Sequence, residues 1–110
     1  YDMLFLWKST YYADPNNWVG EMYDGAKIGT RNNSWYQNPE VDELLHEAQT
    51  TTDRAVREAN YAKAATIVAN DAAGVFIYNT KWFGPINKKA TGFRFCPIGN
   101  GQEMRWVYFE

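Results

Sequence analysis

The sequence predicts a mixed α/β fold in which two main helices lie against a small sheet. Three observations carry this. Apolar residues recur twice at helical spacing, at Val41, Leu44, Leu45 and Ala48 and again at Tyr61, Ala64, Ala65, Val68 and Ala72. Short β-branched and aromatic runs flank that pair, at residues 1–7 before it and at 75–78, 92–95 and 104–109 after it. And 110 residues are room for one small core, not two.

Residues 1–7 read as a buried strand, apolar and aromatic, closed off by Lys8, Ser9 and Thr10. The run begins at Tyr1 with no charged leader and cleavage site ahead of it, so it is not a signal peptide. A strand met so abruptly is expected to belong to a longer protein. Asp14 before Pro15 has the form of an N-cap followed by a first-position proline, opening a short helix through Trp18, Val19 and Met22. Residues 24–34 have loop composition; Asn32-Asn33-Ser34 spells a glycosylation sequon and is better read as a chance match. Asn38 and Pro39 open the first main helix, residues 38–50, with Glu40, Asp42 and Glu43 at the positive end of its dipole. Asp53 caps the second, residues 53–73, whose alanine-rich stripe requires close approach of another element and which Gly74 stops. Residues 75–78 then read as a strand that 81–83 extend, Gly84-Pro85 as a break and Lys88-Lys89 as a solvated turn. Residues 92–95 alternate as a half-buried strand, 97–101 turn, and 104–109 form a terminal strand.

Charge and motifs exclude several functions. Lys and Arg number 11 against 13 Asp and Glu, without the basic excess of a nucleic-acid binder. The longest apolar run, residues 72–78, is too short to span a bilayer. One cysteine, Cys96, excludes an internal disulfide framework and a cysteine-rich zinc site; with no activating neighbour it reads as a small buried hydrophobe. His46, the one histidine, lies off the apolar stripe of its helix and is expected to face solvent. No phosphate loop, dinucleotide fingerprint, zinc-protease or nucleophile-elbow motif occurs. Glu21 with Asp24, and Asp42 with Glu43, read as charged faces rather than as a cation site. No catalysis, metal or cofactor is expected. The informative cluster is Trp7, Tyr11, Tyr12 and Trp18 beside Ser9 and Thr10, because flat aromatic faces with hydroxyls hold small polar ligands. Core packing of Trp7 and Trp18 accounts for the cluster equally well.

With the helices placed, a longer pattern stands out. A strand ending in Trp7 leads to the Asp14-Pro15 turn, then to Tyr36, Asn38, Pro39, Val41, Asp42, Leu44, Leu45 and Ala48, and then to Asp53, Arg57, Tyr61, Ala64, Ile67, Asp71 and Ala72 before the apolar run 75–78. This resembles the C-terminal part of the family-5 extracellular solute-binding proteins, the peptide, nickel, opine and oligosaccharide binders of ABC importers. The resemblance implies two α/β lobes of type II periplasmic-binding-protein form joined by a hinge, with residues 1–78 in the C-terminal lobe and 79–110 crossing the hinge to supply terminal strands of the other. It implies capture of a small-molecule solute between lobes, an ABC permease as partner, and a periplasmic or otherwise extracytoplasmic place, with a lipoprotein anchor compatible.

The expected ligand contacts are Trp7, Ser9, Thr10, Tyr11 and Tyr12, with Trp35 and Trp82 as further candidates. Peptide-binding members carry an acid shortly after the equivalent of Trp7 to neutralise the peptide ammonium. Here Lys8-Ser9-Thr10-Tyr11-Tyr12 has none, and the first acid is Asp14 in the turn. A buried ammonium without a counter-charge is costly, so a small neutral or polyhydroxylated solute, or an opine, is expected rather than a free peptide. A second departure is Asn60, where the family usually has Leu. The competing classes are an aromatic-rich carbohydrate-binding module and an accessory domain of a small acid/base enzyme. An isolated chain of this kind is expected to be a homo-oligomer, through residues 1–7, the Ala64/Ala65/Ala72 stripe and the strands after Asn79.

Overall fold

Capping carboxylates and amides organise the middle of the chain. The computed structural model describes residues 5, 6, 8, 10–81, 83–96, 98 and 102–110, the side chains of Gln102 and Glu103 excepted. These fall into two units, Asp14–Ile77 and the described residues of Tyr1–Ala13 with Tyr78–Glu110. In the first, Asp14 accepts from the Asn16 N–H at 2.8 Å and opens a 3₁₀ turn, Pro15–Asn17, that leads into α1, Val19–Tyr23. Asp24 caps a second 3₁₀ turn, Gly25–Lys27, by accepting from the Ala26 N–H. α2, Pro39–Thr50, starts under the Asn38 side chain, and α3, Arg54–Asn70, starts under Asp53, which accepts from the N–H groups of Ala55 and Val56. Each oxygen satisfies donors that the first helical turn leaves without a partner.

Val41, Leu45 and Ala48 of α2 close against Tyr61, Ala64 and Val68 of α3, with Tyr23 of α1 completing the buried core. Ala48 and Ala64 are fully buried, so the small-residue stripe does receive a close neighbour, and that neighbour is α2. The Tyr36 ring meets Tyr23 edge-on at 6.0 Å.

Helix α3 stops earlier than its stripe predicts. The N–H of Ala73 turns back to Val68 O at 3.3 Å and that of Ala72 to Ala69 O at 3.2 Å, with Ala72 at φ +52°. This is a Schellman closure with alanine where glycine is usual. Ala72 is therefore exposed rather than part of the stripe, and the stop precedes Gly74.

The strand expectations need more correction. Residues 75–78 form no strand and are 62–82% exposed. An apolar run becomes a strand only by pairing, and no described strand pairs with this one. Residues 81 and 83 are likewise outside any strand. Of the predicted strand 1–7, Phe5 and Leu6 are exposed and unstranded, while 1–4 and 7 lie outside the described residues. Of the predicted turn 97–101 only Ile98 is described, at a bend.

In the second unit, β1, Ala90–Thr91, pairs antiparallel with β4, Tyr108–Phe109, with Ala90 opposite Phe109 and Thr91 opposite Tyr108. β2, Arg94–Phe95, pairs antiparallel with β3, Gln102–Glu103, with Arg94 opposite Glu103. Of the predicted strands 92–95 and 104–109, only 94–95 and 108–109 are strand, and β1 and β3 lie just ahead of them. Gly92 turns the chain between β1 and β2 at φ +79°, and the Trp106 carbonyl occupies the place a Cβ would need. A turn at Arg105 and Trp106, closed by the Val107 N–H on Met104 O at 3.0 Å, separates β3 from β4. Lys88 and Lys89 form an exposed turn, as their sequence predicts.

Candidate functional site

Of the predicted contacts, Trp7, Ser9 and Trp82 lie outside the described residues. Thr10 is half-buried, and Tyr11 and Tyr12 are exposed by 57% and 40%. The Lys8 ammonium stands 5.5 Å from the Tyr11 ring centroid, a cation over an aromatic face that the sequence reading did not place among the contacts. Trp35 belongs to the other unit. Its indole is 69% exposed and its backbone sits at φ +56°, rare for a bulky side chain. The turn carrying it is pinned from within: fully buried Asn32 donates to the carbonyls of Asp24 and Tyr36 and accepts from the Ser34 hydroxyl. A fully buried amide is no glycosylation acceptor, so the sequon is a chance match.

Immediately after the tyrosines comes a polar hub. Asp14 Oδ1 accepts from Arg57 Nη2 of α3 at 2.7 Å as well as from the Asn16 N–H. Asn16 Oδ1 in turn accepts from Gln49 of α2 at 3.1 Å and from the Tyr61 hydroxyl of α3 at 3.2 Å. The guanidinium also lies 4.9 Å from the Tyr61 ring centroid. The Arg57 hydrogen bond holds the Asp14 carboxyl below its ordinary range, against an opposing effect of burial. Sequence reading named Asp14, Arg57 and Tyr61 without pairing them. The Asp-Pro cap was visible, but its partner 43 residues on was not.

A second joint ties the start of α2 to the end of α3. Asp71 Oδ2 accepts from the Tyr36 hydroxyl at 2.6 Å and from Asn38 Nδ2 at 3.0 Å. Burial, with the Asp71 bond, pushes the Tyr36 phenol up to about 12, while the Tyr36 and Asn38 bonds lower the Asp71 carboxyl. Asp42 accepts from the Gly25 N–H at 2.8 Å, docking the second 3₁₀ turn on α2.

His46 is exposed, as predicted. Cys96 is half-buried rather than buried, and it follows directly on the exposed strand β2. Phe83, Pro85, Ile86, Phe93, Met104 and Phe109 line most of an open apolar hollow of about 410 Å³ within the C-terminal unit. Among the described residues no group of three or more His, Cys, Asp or Glu converges, and no helix is long and apolar enough to cross a membrane.

The described residues thus supply a framed helical pair with hydroxyls and open aromatic faces, and comparison with known proteins finds relatives named for binding. The chain is 36% identical, over 89% of its length, to the probable D,D-dipeptide-binding periplasmic protein DdpA of Escherichia coli, covering 19% of that protein. It is 30% identical over 79% of its length to heme-binding protein A of Haemophilus influenzae, covering 16%. It is 36% identical over 60% of its length to glutathione-binding protein GsiB of Pectobacterium atrosepticum, covering 13%. It thus spans a fifth or less of these relatives' length. No family model and no solved structure matches it. The chain belongs to the family-5 extracellular solute-binding proteins, and its relatives support a periplasmic location.

Proposed function

We propose that this chain is part of a solute-capture protein serving an ABC-type importer, with an ABC permease as partner. The observation that carries the reading is the helical frame of α2 and α3 with its Asp14–Arg57 and Tyr36–Asp71 joints. Its residues are those of the family pattern, and its relatives are named for binding. In the whole protein, residues 1–78 belong to the C-terminal lobe of a type II periplasmic-binding-protein-like fold and 79–110 cross to the other lobe.

The solute is held by Trp7, Ser9, Thr10, Tyr11 and Tyr12, with Trp35 and Trp82 contributing. Stacking supplies area and hydroxyls fix orientation. The solute is small and polar or polyhydroxylated. The reason is charge: residues 8–13 carry no acid, and Asp14 is engaged by Arg57. Several relatives are named for dipeptides, so the decisive experiment sets the two chemistries side by side. The full-length protein is titrated with sugars, opines and free dipeptides while tryptophan fluorescence is followed. Saturable quenching by a sugar or opine supports the reading, and tighter binding of a free dipeptide refutes the ligand class while leaving solute capture intact. The isolated 110-residue chain is a homo-oligomer that associates through residues 1–7 and the strands after Asn79 rather than through Ala64, which α2 covers, and light scattering reads this as a mass above that of one chain.

A further inference from the structure

The charge at the tyrosine pair comes from its own segment. Residues 8–13 hold one charged side chain, Lys8, and no acid. Lys8, Thr10, Tyr11 and Tyr12 all belong to the same unit. There the Lys8 ammonium stands 5.5 Å from the Tyr11 ring centroid, inside the roughly 6 Å over which an aromatic face attracts a cation. Lys8 is half-buried, although lysine is ordinarily exposed, while Tyr11 and Tyr12 keep 57% and 40% of their surface open. None of the ion pairs among the described residues includes Lys8. The ring thus steadies the ammonium and leaves its charge intact. A solute atom touching that ring lies about 4 Å from it, so a solute group on the lysine side of the ring meets the ammonium itself. Covering the ammonium takes water from it, and an opposite charge on the solute offsets that loss.

We infer that Lys8 is a specificity-determining contact of the solute site and that the solute carries a carboxylate. The ammonium donates to the carboxylate, and the hydroxyls of Thr10, Tyr11 and Tyr12 bond the polar remainder. The inference rests on the solute-capture reading above and narrows its ligand class from polar solutes to small polar acids, such as a sugar acid or an opine.

The test uses the full-length protein and pairs of probes in which a carboxylate is kept or replaced by a neutral group. The pairs are D-galacturonate with D-galactose, octopine with its diamide, and D-alanyl-D-alanine with its C-terminal amide. Tryptophan fluorescence gives the dissociation constants, and the readout is their ratio in whichever pair binds. Wild-type protein prefers the acid at least tenfold. Lys8→Gln brings the two members within threefold of each other, and Lys8→Arg keeps the preference. Lys8→Glu turns the preference over to the neutral member, which gives a reading even where Lys8→Gln fails to fold. Equal weakening of both members in Lys8→Gln means a structural role only and overturns the inference. So does an acid preference that survives Lys8→Gln, or wild-type protein that binds the neutral member as tightly as the acid. Each of these leaves solute capture standing. Wild-type protein that binds no member of any pair overturns the solute-capture reading itself.

Discussion

Replacing Ala72 by glycine makes the chain more stable. Ala72 closes α3 at φ +52°, where an L side chain crowds its own backbone at a cost of roughly 1–2 kcal/mol. Glycine removes that cost, but its freer unfolded chain gives back about 0.5–1 kcal/mol. The side chain is exposed, so no packing is lost. The net gain is about 0.5–1 kcal/mol. Urea unfolding followed by far-ultraviolet circular dichroism measures it, with an unchanged slope confirming that the unfolded state is comparable. Ala62→Gly is the companion: it is the same chemical change, at an exposed position inside α3, and it lowers stability by about 1 kcal/mol through helix propensity. Opposite signs for one substitution at two sites ten residues apart isolate the backbone conformation as the cause. Loss of stability at both positions refutes the reasoning.

Two further substitutions probe the frame. The Asn60 amide nitrogen is sequestered from solvent with no acceptor among the described residues, so Asn60→Leu raises stability by about 1–2 kcal/mol; a decrease on urea unfolding shows that the amide is bonded after all. Tyr36 is neutral as it donates to Asp71, and its phenol is raised to about 12. Its contribution is therefore complete below the ordinary tyrosine pKa of about 10 and is lost as pH rises through about 12. The stability gap between wild type and Tyr36→Phe accordingly shrinks between about pH 10 and about pH 12, and a constant gap refutes the assignment.

The helical unit was legible because its signals are local. The caps Asp14, Asn38 and Asp53 each act on an N–H within three residues, and the stripes of α2 and α3 need only periodicity. What periodicity cannot fix is a helix end. The stripe of α3 runs on to Ala72, while closure by Ala72 and Ala73 at Ala69 and Val68 decides the stop. Strands were less legible because a strand is a relation between segments. Residues 75–78 have every intrinsic preference of a strand and no described partner, so they remain unpaired and exposed. Residues 104–109 lost their continuity to the turn at Arg105 and Trp106, in a stretch whose apolar and aromatic content carries no turn signal. For the site, the aromatic and hydroxyl chemistry of Thr10, Tyr11 and Tyr12 was visible in composition. The Asp14–Arg57 and Tyr36–Asp71 pairs were not, since each spans more than thirty residues.

The residues that carry the family pattern are mostly those that build the frame. Asp14 and Arg57 join the first turn to α3; Tyr36, Asn38 and Asp71 join α2 to the end of α3; Asp53 caps; Val41, Leu45, Tyr61 and Ala64 are core. Exchanging any of them loosens the unit, whereas Thr10, Tyr11, Tyr12 and Trp35, the residues proposed to meet the solute, stand at or near the surface. A frame and a set of exchangeable surface side chains are separable, so one scaffold can be matched to many solutes. With the solute held as proposed, that separation accounts for relatives named for a D,D-dipeptide, for heme and for glutathione resembling this chain. On the same proposal, the information about the solute lies in the hydroxyl and aromatic side chains of residues 9–12 rather than in the frame.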